Sequence, residues 1–535
     1  MRVSRRAVIG GGAAALGAAG LGLAAVAEPM PEGALGGADL ARGHRLRQGK
    51  FPPPVRSERV KLLIAGGGVA GLAAGWRLAE AGFTDFRLLE LEDRVGGNAR
   101  AGRNAVSAFP LGAHYLPVPN EEARALRHML GQFGMVVGEE NGRPVYDPFQ
   151  LTAELEERLF WQGEWQEGLI PRTGVPAEDR RQIAAFEGEM ARLRALKGGD
   201  GRPAFASPIA YSSRDPALRA LDRQPFTAWL DAHGFTAPVL RAHLRYAMRD
   251  DYGCEPHHVS AWAGLHYFAG RRGFAARASE DNQLTWPEGN GRLAALMAAR
   301  FADRIAGGRI IHRVARTSGA MTGGGMTVDH FDVARGETVR TEAQGVILAL
   351  PHFVAARLSD EIDDAGHSYA PWLVANVTVD RLPQGPGVPL AWDNVSSTSE
   401  SLGYVVAAHQ SAGRDGPSVL TWYQPLSRED PAAARRRLLE TPAATWKRLV
   451  RDDLLAMNPE LAGAIRRIDL WRWGHAMIRP VPGFLWGARP APAPPLYLAH
   501  SDVSGLSLFE EAHYQGTRAA EAAMARLGHR FESLL

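Results

Sequence analysis

Leu62-Leu63-Ile64-Ala65-Gly66-Gly67-Gly68-Val69-Ala70-Gly71 is the stretch on which the fold of this chain turns. The apolar run is short and stops at three glycines, so Arg59–Ala65 reads as a buried strand. The pattern Val69–Ala81 that follows is helical. Gly66, Gly68 and Gly71 form G-x-G-x-x-G between the two. The first glycine permits a tight turn, the second lets a pyrophosphate approach the backbone, and the third lets helix pack on strand. The N-terminus of such a helix offers unpaired N–H groups to phosphate. A second strand, Phe86–Leu91, carries Glu90, 24 residues after Gly66, where an acid accepts bonds from a ribose hydroxyl. This βαβ opening predicts a dinucleotide site, without separating FAD from NAD.

Working outward, Glu92-Asp93-Arg94-Val95-Gly96-Gly97 follows the second strand directly. Here the chain resembles the flavin-containing amine oxidase superfamily, which includes monoamine and polyamine oxidases, phytoene desaturases and protoporphyrinogen oxidases. Its signature is a ribose-binding Glu followed by Arg-x-Gly-Gly around the pyrophosphate, matched by Glu90, Arg94, Gly96 and Gly97. Asn98 stands where many members have Arg. Leu111-Gly112-Ala113-His114-Tyr115 resembles the turn whose backbone passes the isoalloxazine ring, which implies flavin contacts for Gly112, Ala113 and His114. Trp286–Leu293 resembles the segment before the adenine-contacting strand. Ile311–Val314 would be that strand, with Val314 bonding adenine through its backbone. Val346–Pro351 resembles the strand returning to the Rossmann sheet.

The far end of the chain supplies the other half of the site. Leu496–Ala499 reads as a buried strand, and Ser507-Leu508-Phe509-Glu510 reads as a capping box opening a helix. The resemblance implies that Asp502 binds the ribityl or pyrophosphate region and that the helix from Leu508 points its N-terminus at the flavin. That polarity suits the negative charge of a reduced flavin. Ser501 stands where relatives have Gly. No cysteine lies in this tail, so the expectation is noncovalent FAD.

Trp471-Arg472-Trp473-Gly474-His475-Ala476 resembles the strand facing the flavin. Trp471 and Trp473 share a face by period-two spacing; an aromatic cage for a neutral amine and plain core packing both fit them. His475 reads as a pocket base or a satisfied histidine. Many amine oxidases place a lysine near flavin N5 on the strand matching Val374–Val379, where this chain has Asn376. Its four lysines (Lys50, Lys61, Lys197, Lys447) lie in no flavin segment. That departure puts reaction with oxygen in doubt and favours a dehydrogenase with another electron acceptor, whose identity stays open.

The chain has 535 residues, 45% hydrophobic and 22% charged, with a net charge of +3. It is long enough for two or three domains, and no basic–aromatic interleaving suggests nucleic acid. The lone Cys254 excludes an intrachain disulfide and a cysteine metal cluster; no metal site is expected. The predicted class is α/β: a Rossmann-type FAD-binding domain with an interleaved α+β substrate domain carrying a helical insert. The FAD-binding domain takes 59–120, 272–351 and 495–535. The helical insert takes 121–271, and the rest of the substrate domain 352–494. Residues 28–58 read as a linker. Residues 1–27 read as a twin-arginine signal: Ser4-Arg5-Arg6 precedes the apolar run Ala7–Ala27, which ends in an A-x-A cleavage site. That predicts export of a folded protein to the periplasm through the twin-arginine translocase, or membrane anchoring if the signal stays uncleaved.

Three functions fit these observations. The first is an FAD-dependent amine oxidoreductase passing hydride from a C–N bond to flavin N5. The second is a desaturase or dehydrogenase of an apolar substrate. The third is a flavin-bearing relay subunit of an exported complex.

Overall fold

The computed structural model describes residues 30–279, 282–317, 324–363, 366–410 and 416–535. Strand β2 (Pro54–Ala65) is the centre of a seven-stranded sheet. Its last four residues are fully buried because helices cover both faces there. It pairs in parallel with β3 (Phe86–Leu89) on one side and with Glu337–Leu348 on the other. Between β2 and β3 runs helix α2 (Val69–Glu80), as expected from the sequence.

Glu337–Leu348 is one continuous strand, although its two halves read from sequence as a hairpin arm and a separate buried strand. Its first half pairs with Met326–Asp332 and its last residues with Leu496–Leu498. The C-terminal strand thereby closes a sheet begun by the N-terminal one. The C-terminal helix Phe509–Arg526 packs on α2. Gly516 makes this close approach possible: a Cβ there would lie 2.1 Å from the Ala70 carbonyl oxygen.

The second sheet has eight strands. Ile465–Ile478 and Tyr369–Val379 form its antiparallel centre, with Ser418–Pro425, Tyr404–Val406 and Asp393–Ser396 following outward. The strands Glu157–Trp161 and Glu164–Glu167 continue it at that edge, and Leu35–Gly37 completes it at the other. This corrects the reading of 121–271 as a helical insert. Gln162 and Gly163, both at positive φ, make the tight hairpin turn between these two strands. Helix Arg124–Gln132 in the same stretch belongs to the Rossmann core through Leu126, Met129 and Leu130. Helices Ala177–Ala195, Phe226–Ala232, Pro238–Tyr252 and Ala261–Ala269 form the helical part.

Helix Gly291–Ala299 follows, and Ile305–Ala306 joins the sheet beside β3. Two further expectations differ. Residues 28–58, read as a linker, contain strand β1 (Leu35–Gly37), helix α1 (Leu40–Gln48) and the first half of β2. The capping box at Ser507 does not form: Leu508 is the N-cap, and no side chain caps the helix. The proposed signal, 1–27, lies outside the described residues. Among the described residues no helix is long and apolar enough to cross a membrane.

Candidate active site

The glycine turn after β2 is shaped by backbone contact. Gly66 adopts φ +100°, which strongly favours glycine. A Cβ on Gly71 would lie 1.9 Å from the Gly66 carbonyl oxygen. Gly68 is the N-cap of α2 and carries no side-chain cap, so the first-turn N–H groups stay available to an anion. Glu90 reaches across from the end of β3: one carboxylate oxygen accepts from the Gly67 amide (2.6 Å), the other from Glu92 (2.9 Å). Burial raises its pKa against those two bonds. Gly96 donates to the Gly67 carbonyl and sits with Gly97 at positive φ. Arg94, on the same loop, is exposed. Val314 lies buried in the sheet, packed in one cluster with Leu348 and Leu498. The cradle fits a dinucleotide, because side chains on its turn are excluded by backbone atoms already in contact.

Asn98 links this loop to the next. Its backbone oxygen accepts from Ala113 (3.0 Å) and its side chain donates to the Ala476 carbonyl. Gly112 cannot carry a Cβ, which would lie 2.4 Å from the Asn98 oxygen. Gly112, Ala113 and His114 then line a cavity. Ser507, Leu508, Phe509 and Glu510, at the uncapped start of the C-terminal helix, form another wall. Both ends of the chain thus meet at one cavity.

The remaining walls come from the second sheet and the helical part. Trp473 lines the cavity and donates through Nε1 to the Leu111 carbonyl (2.6 Å). Trp372, Val374 and Tyr423 stand beside it. His114 stacks on Tyr423 with ring centroids 4.6 Å apart, and burial pushes its pKa down to about 4, so the ring is neutral. Asp250 and Asp251, at the end of helix Pro238–Tyr252, line the cavity with Arg271. Arg271 donates to both oxygens of Asp251 (2.8 and 2.9 Å). Burial and the neighbouring Asp251 raise the pKa of Asp250. Burial also raises that of Glu510, opposed by Arg271. Three carboxyls therefore face one guanidinium around the cavity.

Two of the sequence-predicted side chains stand elsewhere. Trp471 lies outside the cavity lining, under β1: a Cβ on Gly36 would meet its ring at 2.4 Å, and the Arg100 guanidinium sits 5.3 Å from it. His475 also misses the lining. Five residues of its strand, Trp473 to Met477, lie against three of the neighbouring one, Trp372 to Ala370. This bulge breaks the alternation, presenting Ala476 and Met477 to the cavity while His475 stacks on Phe353 at 4.3 Å. Burial, with Arg435, Arg47 and Arg357 nearby, pushes its pKa down to about 3.

Asp502 is buried and already filled by protein donors. The Tyr369 hydroxyl (2.6 Å) and the His352 amide (2.8 Å) reach one oxygen, and His500 Nδ1 lies 3.0 Å from the other. Against the upward push of burial, His500 and these bonds hold its pKa at about 2. Asp502 braces the turn behind the helix start and is absent from the cavity wall. Asn376 is buried against Thr421, whose hydroxyl donates to it at 2.8 Å. None of the four lysines, all described, lines the cavity.

Sequence reasoning missed Asp250, Asp251, Arg271, Trp372 and Tyr423. The signal for the acids was present as the adjacent pair Asp250-Asp251 at the end of the helix Pro238–Tyr252.

A glycine cradle on a Rossmann-like sheet, linked through Asn98 to an aromatic and acidic cavity, defines a mixed α/β dinucleotide-binding fold. Comparison with known proteins agrees. Residues 64–133 match the family of NAD(P)-binding Rossmann-like domains. Polyamine oxidase 7 of Oryza sativa subsp. japonica is 39% identical over 64 residues, 12% of this chain and 14% of that one. The match thus spans about one seventh of that relative. Among solved structures, putrescine oxidase bound to putrescine superposes with a TM-score of 0.60 at 17% identity, over 88% of this chain and 100% of the other. Cyclohexylamine oxidase from Brevibacterium oxydans IH-35A gives 0.62 at 16% identity, over 88% and 99%. The chain shares the overall fold of these two solved structures.

Proposed function

We propose that the protein is an FAD-dependent oxidoreductase that oxidises an amine at its C–N bond. The observation that carries this reading is the acidic lining of the cavity: three carboxyls around one guanidinium, within aromatic walls and joined to the glycine cradle through Asn98. Such a lining attracts a protonated amine by Coulomb attraction strengthened in a poorly hydrated site and offers little to a plain apolar polyene. The amine-oxidising neighbours named above support the same choice.

FAD held noncovalently by Gly66, Gly68, Gly71, Glu90, Gly96 and Gly97 supplies a hydride acceptor. The chain's own residues do the rest. Asp250, Asp251 and Glu510 receive the cationic substrate. Trp372, Tyr423 and Trp473 exclude water and restrict the amine's orientation. His114, neutral through burial, adds no positive charge to repel it. The uncapped N-terminus at Leu508 favours negative charge developing nearby. Since no lysine lines the cavity, we favour a dehydrogenase that hands its electrons to an acceptor other than oxygen. Anaerobic mixing of purified holoprotein with mono-, di- and polyamines tests the reading. Bleaching of the flavin absorbance by at least one amine is expected; a flavin that no amine bleaches sinks it.

We further propose export by the twin-arginine route, supported by Ser4-Arg5-Arg6 and the apolar run behind it. Changing Arg5 and Arg6 together to lysine should retain the protein in the cytoplasm on fractionation. Unchanged periplasmic recovery would refute the signal.

A further inference from the structure

Met30–Phe51 crosses from one domain to the other. Strand β1 adds to the edge of the eight-stranded sheet along Leu470–Arg472. Gly36 there lies flat on the face of Trp471, and the Ala34 amide donates to Asp469 (2.8 Å). Helix α1 then runs over the loop that follows β3. The Asp39 amide donates to Glu92 (2.8 Å), and Arg42 donates to the Leu91 carbonyl (3.0 Å) and to Asp93 (2.8 Å). Leu46 packs against the cluster containing Val314 and Leu350. Arg45 stands 3.9 Å over the Phe331 ring, and Phe51 stacks on His312 at 4.2 Å. Arg47, near the end of α1, lies close enough to Arg435 and His475 to act on both. The arm thus lies over Leu91–Asp93, which follow Glu90, and against the cluster of Val314, the residues to which the FAD reading assigns the adenosine half, while holding the opposite domain.

The roof is fastened lightly. Helix α1 has nine residues, none of them buried, too few to be stable alone. The Asp93 partner of Arg42 is 77% exposed, and such ion pairs hold weakly. The strand end is tied more firmly, since the buried Lys447 donates to the Pro31 and Gly33 carbonyls (3.2 and 2.8 Å), so helix α1 is the part that opens locally before the protein unfolds.

We propose that Met30–Phe51 is a clasp that closes over the bound dinucleotide and sets the rate at which the cofactor leaves. This rests on the FAD reading above. It predicts that cofactor binding protects the arm and that a loosened arm releases cofactor faster, with the cradle itself intact. The test uses the full-length holoprotein and two variants, Gly36→Val, which lifts β1 off Trp471, and Arg42→Ala, which cuts the tie to Asp93 at the surface. Flavin release is followed by the fluorescence of free flavin after dilution, and arm opening by trypsin cleavage at Arg42, Arg45 and Arg47. Release about tenfold faster in either folded variant is expected, with arm cleavage suppressed by added FAD. If the arm is cut readily while release stays at the wild-type rate, the clasp is wrong and the FAD reading stands. If the purified protein takes up no FAD at all, both fall.

Discussion

The glycine cradle and the acid–aromatic cavity wall are joined through Asn98 but are built in opposite ways. The cradle is backbone, drawn from Gly66–Gly71, Glu90 and Gly96–Gly97, a stretch of about thirty residues. The wall is side chains: Tyr115, Asp250, Arg271, Trp372, Tyr423 and Trp473 come from distant segments and meet only in the folded sheets. A backbone site tolerates almost no change at its contacts and is indifferent to substrate. A side-chain site tolerates change in the fold and sets which substrate is accepted. The two should therefore separate cleanly under mutation, cofactor loss on one side and substrate loss on the other.

The largest expected effect is at the cradle. Gly71→Val places a branched side chain where even a Cβ would lie 1.9 Å from the Gly66 oxygen, a clash of the kind that costs about 4 kcal/mol or more. The purified variant should be colourless, with a lowered melting temperature. Full flavin content would break the distinction at its root. On the wall, Asp250→Asn should leave flavin content unchanged and slow reduction by the best amine about thirtyfold, a loss near 2 kcal/mol for one charge-assisted bond. The same variant should be more stable than wild type at neutral pH by about 1 kcal/mol, since it removes a carboxyl whose ionisation burial opposes. Equal loss of flavin and activity would show that wall and cradle are one unit.

A pH titration sharpens the wall's role. Burial and the Asp251 charge push the pKa of Asp250 up to about 7, so its carboxyl is protonated below that pH and ionised above. Attraction for a cationic amine therefore strengthens as pH rises through 7. For stability the sign is reversed: the native state holds this proton longer than the unfolded chain, so its contribution falls as pH rises from about 4 to 7. Reduction kinetics of wild type should show a limb rising near neutrality that flattens in Asp250→Asn. An identical limb in both would assign the titration to another group.

The same contrast explains what was legible in advance. The βαβ opening and its glycines were readable because strand, turn and helix follow one another within a single local motif. The closing strand Leu496–Leu498 was readable for its uninterrupted apolar run. The wall was not, because nothing local links Asp250 to Tyr423. The arm was misread as a linker because its contacts are all with distant partners, from Glu92 to Trp471, and its own sequence has no apolar face. Trp471 and His475 show what spacing alone leaves open. Trp471 does stand beside Trp473, ring centroids 5.8 Å apart, but under β1 and outside the cavity lining, and a bulge turns His475 away.

The smallest expected effects test that bulge directly. Were His475 a pocket base, replacing it would stop proton transfer and cost orders of magnitude in rate. Its ring instead stacks on Phe353, uncharged and outside the cavity lining. His475→Phe keeps a planar ring in that stack, so reduction by amines should stay within about twofold of wild type. Trp473→Phe is the matched control, one step before the bulge. It deletes the Nε1 bond to Leu111, worth about 1 kcal/mol, and should weaken amine reduction more than His475→Phe does. If the order is reversed, the bulge closes when substrate binds and His475 turns inward. The wall would then owe its selectivity to a side chain that the resting fold keeps out of reach.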